Sequence, residues 1–187
     1  INYVKYPSIE DGAELIVKIR YKHAGELATV FNDDGNLKVL FHNKVQGIAL
    51  PIAGKGLWST IFGYIALNPD TDSVLGIQFY KHGETPGLGG EVEKKWFTDN
   101  FVNHPQEKPS GEIQYVPKKI RDKSGKIISI KVVKGGVDYS KSNSASIHQV
   151  DGISGATVTA DGVTDFLLED LLRYEKTLDK IRDYGTI

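Results

Sequence analysis

The stretch Asp151-Gly152-Ile153-Ser154-Gly155-Ala156-Thr157-Val158-Thr159 is the most informative part of this chain. Gly155 and Ala156 stand between two hydroxyl residues, Ser154 and Thr157, so no bulky side chain covers this part of the backbone. Directly afterwards, apolar residues recur at the three- and four-residue spacing that predicts an amphipathic helix: Val163, Phe166, Leu167, Leu171, Tyr174 and Leu178. The helix is expected to start near Thr159, which places Thr157 just before it or in its first turn.

Two interpretations of this stretch remain open from its own residues. The N-terminus of a helix has free N–H groups and a partial positive charge, so it suits a bound phosphate. Ser and Thr are also preferred N-caps, and Gly is common in turns. The stretch alone favours a helix cap, and the decision depends on the rest of the chain.

The composition is that of a folded protein without a nucleic-acid partner. The chain has 187 residues, which suits one domain or one domain with extensions. Hydrophobic residues make up 40% and charged residues 25%, which is enough for a packed core. The net charge is −1 and there is no basic stripe, which argues against nucleic-acid binding. The absence of Cys excludes disulfides, thiolate metal sites and Cys nucleophiles.

The sequence contains no Met, even at position 1, and is expected to be a processed or trimmed part of a longer protein. No apolar run approaches the roughly 20 residues that span a bilayer. Any membrane anchor is therefore expected outside these residues.

Strand patterns joined by turns, with helices late in the chain, predict an α+β domain: an antiparallel sheet with flanking helices. Expected strands cover 15–21, 45–50, 61–67, 74–80 and 127–133, and Pro51 is expected to end the second of these because it has no N–H to donate. Residues 91–101 are expected to form a short helix with Trp96 and Phe101 inward. Residues 103–111 are polar, contain two prolines and are expected to form a loop.

Two glycine-rich segments precede the 151–159 stretch. Gly54-Lys55-Gly56-Leu57-Trp58-Ser59 suits either the floor of a site for a planar ligand or, more simply, a loop beside a core Trp58. In residues 83–91, Pro86-Gly87 suits a type II turn, and the surrounding glycines permit close approach of a ligand. The spacing of known nucleoside-phosphate loops is absent.

No catalytic or metal-binding constellation is apparent. The five histidines have no metal-ligand spacing, and Ser154 lies in no G-x-S-x-G motif. We therefore assign no catalytic residue and no metal site.

Taken in order, the three small-residue segments identify a family. Gly-Lys-Gly-Leu-Trp-Ser (54–59), Gly-Glu-Thr-Pro-Gly-Leu-Gly-Gly-Glu (83–91) and Asp-Gly-Ile-Ser-Gly-Ala-Thr (151–157) together resemble the FMN-binding domain found in the C subunit of the bacterial sodium-translocating NADH:quinone reductase. The G subunit of the Rnf electron-transport complex shares the third motif, whereas the Gly-Gly-Glu ending of the second favours the quinone reductase. The resemblance runs from about Leu37 to the last helix. It implies an FMN-binding domain over 37–187, with 1–36 as an N-terminal extension or the first strands of that domain.

The resemblance implies covalent FMN, with the FMN phosphate esterified to Thr157 by a separate flavin transferase that uses FAD. It also implies that three groups of residues contact the cofactor: Ser154, Gly155, Ala156 and Thr159; Leu57, Trp58, Ser59 and Thr60; and Glu84, Thr85, Pro86, Gly87, Leu88 and Gly89.

The family further implies an electron carrier within a complex of the bacterial inner membrane that pumps sodium. Its soluble domain would lie on the periplasmic side, anchored by an N-terminal helix absent from this chain, and would not turn over alone. Three other functions remain as alternatives: the G subunit of an Rnf-type electron-transport complex, a non-catalytic FMN- or ligand-binding module, and a free-standing flavin reductase. The last is weakened because the chain shows no nicotinamide-nucleotide fingerprint.

Overall fold

The computed structural model describes residues 2–5, 16–21, 45–108, 110–139 and 146–184. Its main sheet has five strands in the order of the chain, each antiparallel to its neighbours. The strands are β1 (Asn2–Lys5), β2 (Ile16–Tyr21), β3 (Val45–Lys55), β4 (Thr60–Leu67) and β5 (Val74–Lys81). The predicted antiparallel sheet is confirmed. The boundary predicted between residues 36 and 37 lies outside the described residues.

One face of this sheet carries the core. On β4 every second residue is buried, as expected when one face packs inside and the other does not. Ile48, Leu50 and Ile52 of β3 lie on the same side, and each is at most 2% exposed. The β4–β5 hairpin therefore forms where two apolar runs, 61–67 and 74–80, on either side of a turn signal predicted it.

The prediction that Pro51 ends its strand is wrong, because β3 continues to Lys55 and Pro51 pairs with Tyr64 of β4. The Pro51 carbonyl points away from β4. It accepts a hydrogen bond at 2.7 Å from the hydroxyl of Tyr174, which lies on the last helix. Its nitrogen points to that same side, since the N and O of a strand residue share a direction. The register with β2 ends at Ala49, so a missing N–H breaks no ladder there.

The predicted helix over 91–101 is instead a series of short turns. A 3₁₀ turn at Gly89–Glu93 leads into the four-residue helix α1 (Lys95–Thr98) and a second 3₁₀ turn at Asp99–Phe101. Phe101 is buried as expected, but the prediction for Trp96 is wrong, since it is 50% exposed and donates from Nε1 to Glu91 at 3.1 Å. Phe97, four residues before Phe101, takes the inward position.

The predicted loop over 103–111 is also wrong for its first half. Strand β6 (Asn103–Glu107) pairs antiparallel with β7 (Ile113–Pro117) as a separate ribbon. A two-stranded ribbon has only edge strands, which tolerate proline. The expected strand over 127–133 is shortened to β8 (Lys131–Val133), which pairs in parallel with β9 (Gln149–Asp151). Ser129 interrupts it with a φ of +63°.

The last helix, α2 (Thr157–Tyr184), has 28 residues and packs against β3 and β8. Its apolar stripe supplies Val163, Phe166, Leu167, Leu171, Leu178 and Ile181 to the core. The helix approaches the end of β3 closely: a Cβ added at Gly162 would lie 2.2 Å from the Lys55 carbonyl oxygen. The start of α2 is thereby fixed beside the turn that joins β3 to β4.

Candidate functional site around Thr157

Thr157 lies at the exposed start of α2. The two small residues before it differ in solvent exposure. Gly155 is exposed and has a φ of +73°, a conformation that glycine adopts without steric cost. Ala156 is 6% exposed, and its N–H donates to the Ile153 carbonyl at 3.1 Å. The first turn of a helix has N–H groups without an intrahelical acceptor. Thr157 therefore presents a hydroxyl at a helix end that favours negative charge.

Glu84 joins this helix start to both glycine-rich segments. Its side chain is buried, at 5% exposure, and its carboxylate accepts the Thr159 hydroxyl at 2.7 Å. The same carboxylate accepts three consecutive backbone N–H groups, from Leu57 at 3.1 Å, Trp58 at 2.9 Å and Ser59 at 3.1 Å. Burial alone would raise the pKa of Glu84, but these hydrogen bonds outweigh burial and hold the pKa below its ordinary value.

The second glycine-rich segment lies against the helix start through two close approaches. A Cβ added at Gly155 would lie 2.9 Å from Leu88 Cδ2, and one added at Gly89 would lie 2.5 Å from Thr159 Oγ1. The Gly83 N–H also donates to Ser59 Oγ at 2.6 Å. The structure thus brings together all three segments that the sequence singled out.

Each of these three segments also carries at least one exposed large apolar side chain. Trp58 is 71% exposed, Val158 56%, Leu57 44% and Leu88 43%. The interpretation of Trp58 as a core residue is therefore wrong. The three segments combine an exposed hydroxyl at a helix start with exposed apolar groups, a combination that suits a ligand with an anionic end and a planar end.

A pocket of about 290 Å³ opens on the β8 side of Thr157. It is lined by Val132, Val133, Lys134, Gly135, Gly152, Ile153, Ser154, Gly155, Thr157, Ala160 and Asp161. A Cβ added at Gly152 would lie 2.5 Å from the Val133 carbonyl oxygen, so the motif backbone rests directly on β8. Sequence reasoning missed residues 132–135, although the Gly-Gly pair after an apolar strand was a signal that the chain turns there.

The other predicted site residues divide into exposed and enclosed groups. Thr60, Thr85, Pro86 and Gly87 are exposed, as is Ser154, and all can be reached by a ligand. Glu84, Gly89 and Thr159 are buried, and the Thr159 hydroxyl and the Glu84 carboxylate are bonded to each other. These three buried residues support the site from the protein interior and do not line its open surface.

The described part of the chain contains neither a metal centre nor a membrane-spanning helix. Over those ranges, no group of three or more His, Asp or Glu side chains is arranged to hold a metal ion. No helix among them combines the length and apolarity needed to cross a membrane.

Comparison with known proteins gives a consistent result. Residues 56–170 match the family of the FMN-binding domain. The C subunit of the Na(+)-translocating NADH-quinone reductase of Vibrio vulnificus is 37% identical over 185 residues, covering 97% of this chain and 60% of that protein. Its counterpart in Pseudomonas aeruginosa, of the same name, is 36% identical over 166 residues, covering 87% of this chain and 54% of that protein. The chain thus spans about 60% or less of the length of these curated relatives.

Two crystal structures have the same fold. NqrC of Shewanella oneidensis superposes with a TM-score of 0.62 at 28% identity, covering 92% of this chain and 63% of that one. The C subunit of the Na(+)-translocating NADH-quinone reductase of Parabacteroides distasonis gives a TM-score of 0.60 at 31% identity, covering 88% of this chain and 63% of that one.

Proposed function

The chain belongs to the FMN-binding domain family, and on that premise we propose that it is the FMN-carrying part of an electron-transfer subunit of a sodium-translocating NADH:quinone reductase. Relatives named as the C subunit of that reductase match most of this chain, which supports the assignment to that complex. The partners are then the other subunits of the complex, and the domain lies on the periplasmic side of a bacterial inner membrane.

The observation that carries the proposal is the exposed Thr157 at the start of a 28-residue helix, directly after the small pair Gly155-Ala156. The residues present fit an FMN phosphate. A phosphodiester retains one negative charge, and the first turn of α2 would stabilise that charge through its free N–H groups. A side chain at Gly155 would crowd Leu88, so the glycine keeps the approach to Thr157 open.

Attachment would be a phosphoryl transfer from FAD, carried out by a separate flavin transferase. Thr157 Oγ1 loses its proton and forms a bond to the FMN-side phosphorus, the pyrophosphate P–O bond breaks, and AMP leaves. No oxidant or reductant is needed. Thr157 is exposed, which suits a residue that must enter the active site of another enzyme.

The exposed apolar side chains Leu57, Trp58 and Leu88 would contact the isoalloxazine ring. Bound FMN would supply reversible electron transfer, while the protein holds the cofactor and adjusts its environment. The sequence contains no recognisable fingerprint for a nicotinamide nucleotide, so we assign the domain the role of carrier and leave the entry of electrons to another part of the complex.

The test is co-expression with a flavin transferase, followed by fluorescence on a denaturing gel and mass spectrometry of peptides. We expect covalent FMN on Thr157, and we expect Thr157→Ala to abolish it while folding is kept, because Thr157 is exposed and substitutions of exposed residues typically change stability by no more than about 0.5 kcal/mol. Ser154→Ala is the matched control, since it removes an exposed hydroxyl three residues away and should leave the bond on Thr157.

Flavin that persists in the Thr157→Ala protein, or that maps to Ser154 or Thr159 in the parent, would contradict the attachment site. A parent protein with no covalent flavin despite an active transferase would contradict the covalent carrier itself.

A further inference from the structure

Five hydrogen bonds converge on the carboxylate of Glu84. Its two carboxylate oxygens accept three backbone N–H groups, the Thr159 hydroxyl at 2.7 Å and the Ser59 hydroxyl at 3.4 Å. All of these donors belong to two segments that are far apart in sequence, namely the β3–β4 turn and the first turn of α2. One buried carboxylate therefore sets the position of one segment relative to the other.

The same carboxylate distinguishes the two threonines of the motif. Thr159 is 1% exposed and its hydroxyl is bonded to Glu84, whereas Thr157, two residues earlier in the same turn, is exposed. Residues two apart on a helix point in different directions. Holding Thr159 inward at Glu84 therefore holds Thr157 outward.

We infer that Glu84 is a positioning residue for flavin attachment: it fixes the first turn of α2 so that the Thr157 hydroxyl is presented and the Thr159 hydroxyl is withheld. The inference rests on the proposed function. Glu84 acts through the backbone and through Thr159, and it does not contact the phosphoryl group that is transferred.

Two substitutions of Glu84 test this role by changing its hydrogen bonds to different extents. Glu84→Ala removes the acceptor for every one of these donors. Glu84→Gln keeps the shape and one acceptor oxygen, but its NH₂ group faces at least one donor, so it is expected to rescue the function only partly. Asp170→Ala is the matched control, because Asp170 is a buried carboxylate on the same helix, thirteen residues after Thr157, and accepts the Ala53 N–H at 2.7 Å.

The experiment measures the rate of FMN transfer from FAD by a flavin transferase as the concentration of acceptor protein is varied. It is run at a temperature where circular dichroism shows every variant folded. We expect kcat to fall at least tenfold for Glu84→Ala with KM changed less than threefold, and Glu84→Gln to lie between it and the parent. Asp170→Ala should stay within twofold of the parent.

Each outcome is decisive. A purely structural role would leave the folded variants with the parent kcat, and that result would overturn the inference while the proposed function stands. A parent that accepts no flavin would contradict the proposed function and this role with it. If Glu84→Ala does not fold, Glu84→Gln carries the test, and a parental kcat in that variant would overturn the inference.

Discussion

At the scale of single residues, Gly155 shows how backbone conformation serves the site. Its φ of +73° is one that an L-residue adopts at a cost of about 1–2 kcal/mol, and a Cβ there would also displace Leu88. Gly125 is a suitable comparison, because it has a φ of +85° in a turn remote from Thr157 and a Cβ there would meet only an ordinary contact at 3.6 Å.

We predict that Gly155→Ala and Gly125→Ala destabilise the fold by a similar amount, about 1–2 kcal/mol, because each forces alanine into the left-handed region. Only Gly155→Ala should slow flavin attachment, since only there does the new methyl group push Leu88 across the approach to Thr157. Urea unfolding measures the first effect, and gel fluorescence after timed incubation with a flavin transferase and FAD measures the second. Equal labelling of the two folded variants would show that Gly155 matters for the turn alone.

At the scale of elements, the position of α2 depends on the absence of a side chain at Gly162. Alanine is intrinsically favoured over glycine in a helix interior by about 1 kcal/mol. At this position, however, a Cβ would lie 2.2 Å from the Lys55 carbonyl oxygen, a backbone atom that cannot rotate away. Close packing therefore outweighs helix propensity here.

We predict that Gly162→Ala lowers the free energy of unfolding by about 2 kcal/mol, because the helix must shift away from β3 to accept the methyl group. Asp165→Ala is the control. Asp165 is exposed one turn further along the helix, and its replacement should change stability by no more than about 0.5 kcal/mol. Thermal or urea unfolding of both variants checks this. A more stable Gly162→Ala protein would mean that propensity decides at this position.

The elements also show which parts of the fold the sequence predicts and which it does not. The helix of residues 157–184 follows from apolar periodicity, and the β4–β5 hairpin follows from two apolar runs on either side of a turn. Both are local signals. Strand β6 is polar and contains Pro105, so its pairing with β7 depends on neighbours that no local pattern reveals. The parallel pair β8–β9 joins segments separated by a long connection, which is likewise a non-local property.

The candidate site divides in the same way. The resemblance carried by the three ordered motifs singled out Thr157, Trp58 and Leu88, and the structure leaves all of them exposed. The enclosed roles of Glu84 and Thr159 could not be predicted, because they depend on a hydrogen bond between residues 75 positions apart. The pocket wall at 132–135 depends in turn on the β8–β9 pairing.

At the scale of the whole molecule, buried Lys118 connects the β6–β7 ribbon to the segment that leads into the motif. Its ammonium group donates to the carbonyl oxygens of Ser146 at 2.7 Å and Gln149 at 2.5 Å, and lies 4.9 Å from the centroid of the Tyr139 ring. Burial lowers the pKa of Lys118 to about 8, and the nearby Asp151 carboxylate opposes this only in part. The positive charge of Lys118 is thus stabilised chiefly by carbonyl dipoles, and its burial carries a desolvation cost.

This cost predicts a pH dependence of stability with a defined sign. The pKa of Lys118 is about 8 in the folded state and near the ordinary value of 10.5 in the unfolded state, so between these pH values the unfolded chain binds more protons. The contribution of Lys118 to the free energy of unfolding should therefore rise with pH by about 3 kcal/mol across this window. Lys118→Met keeps the apolar stem without the ammonium group and should lack this rise, so the difference between parent and variant should grow from pH 8 to pH 10.5.

Lys119→Met provides the control for that measurement. The hydrogen bond and the charge of Asp72 raise the pKa of Lys119, so its contribution to stability is present throughout this window and is lost only at higher pH. Urea unfolding of the parent and both variants at the two ends of the window, about pH 8 and pH 10.5, gives the comparison. A parent-minus-Lys118→Met difference that stays constant over this range would mean that Lys118 keeps an ordinary pKa despite its burial. Its ammonium group would then hold the segment before the motif without the solvation cost inferred from its surroundings.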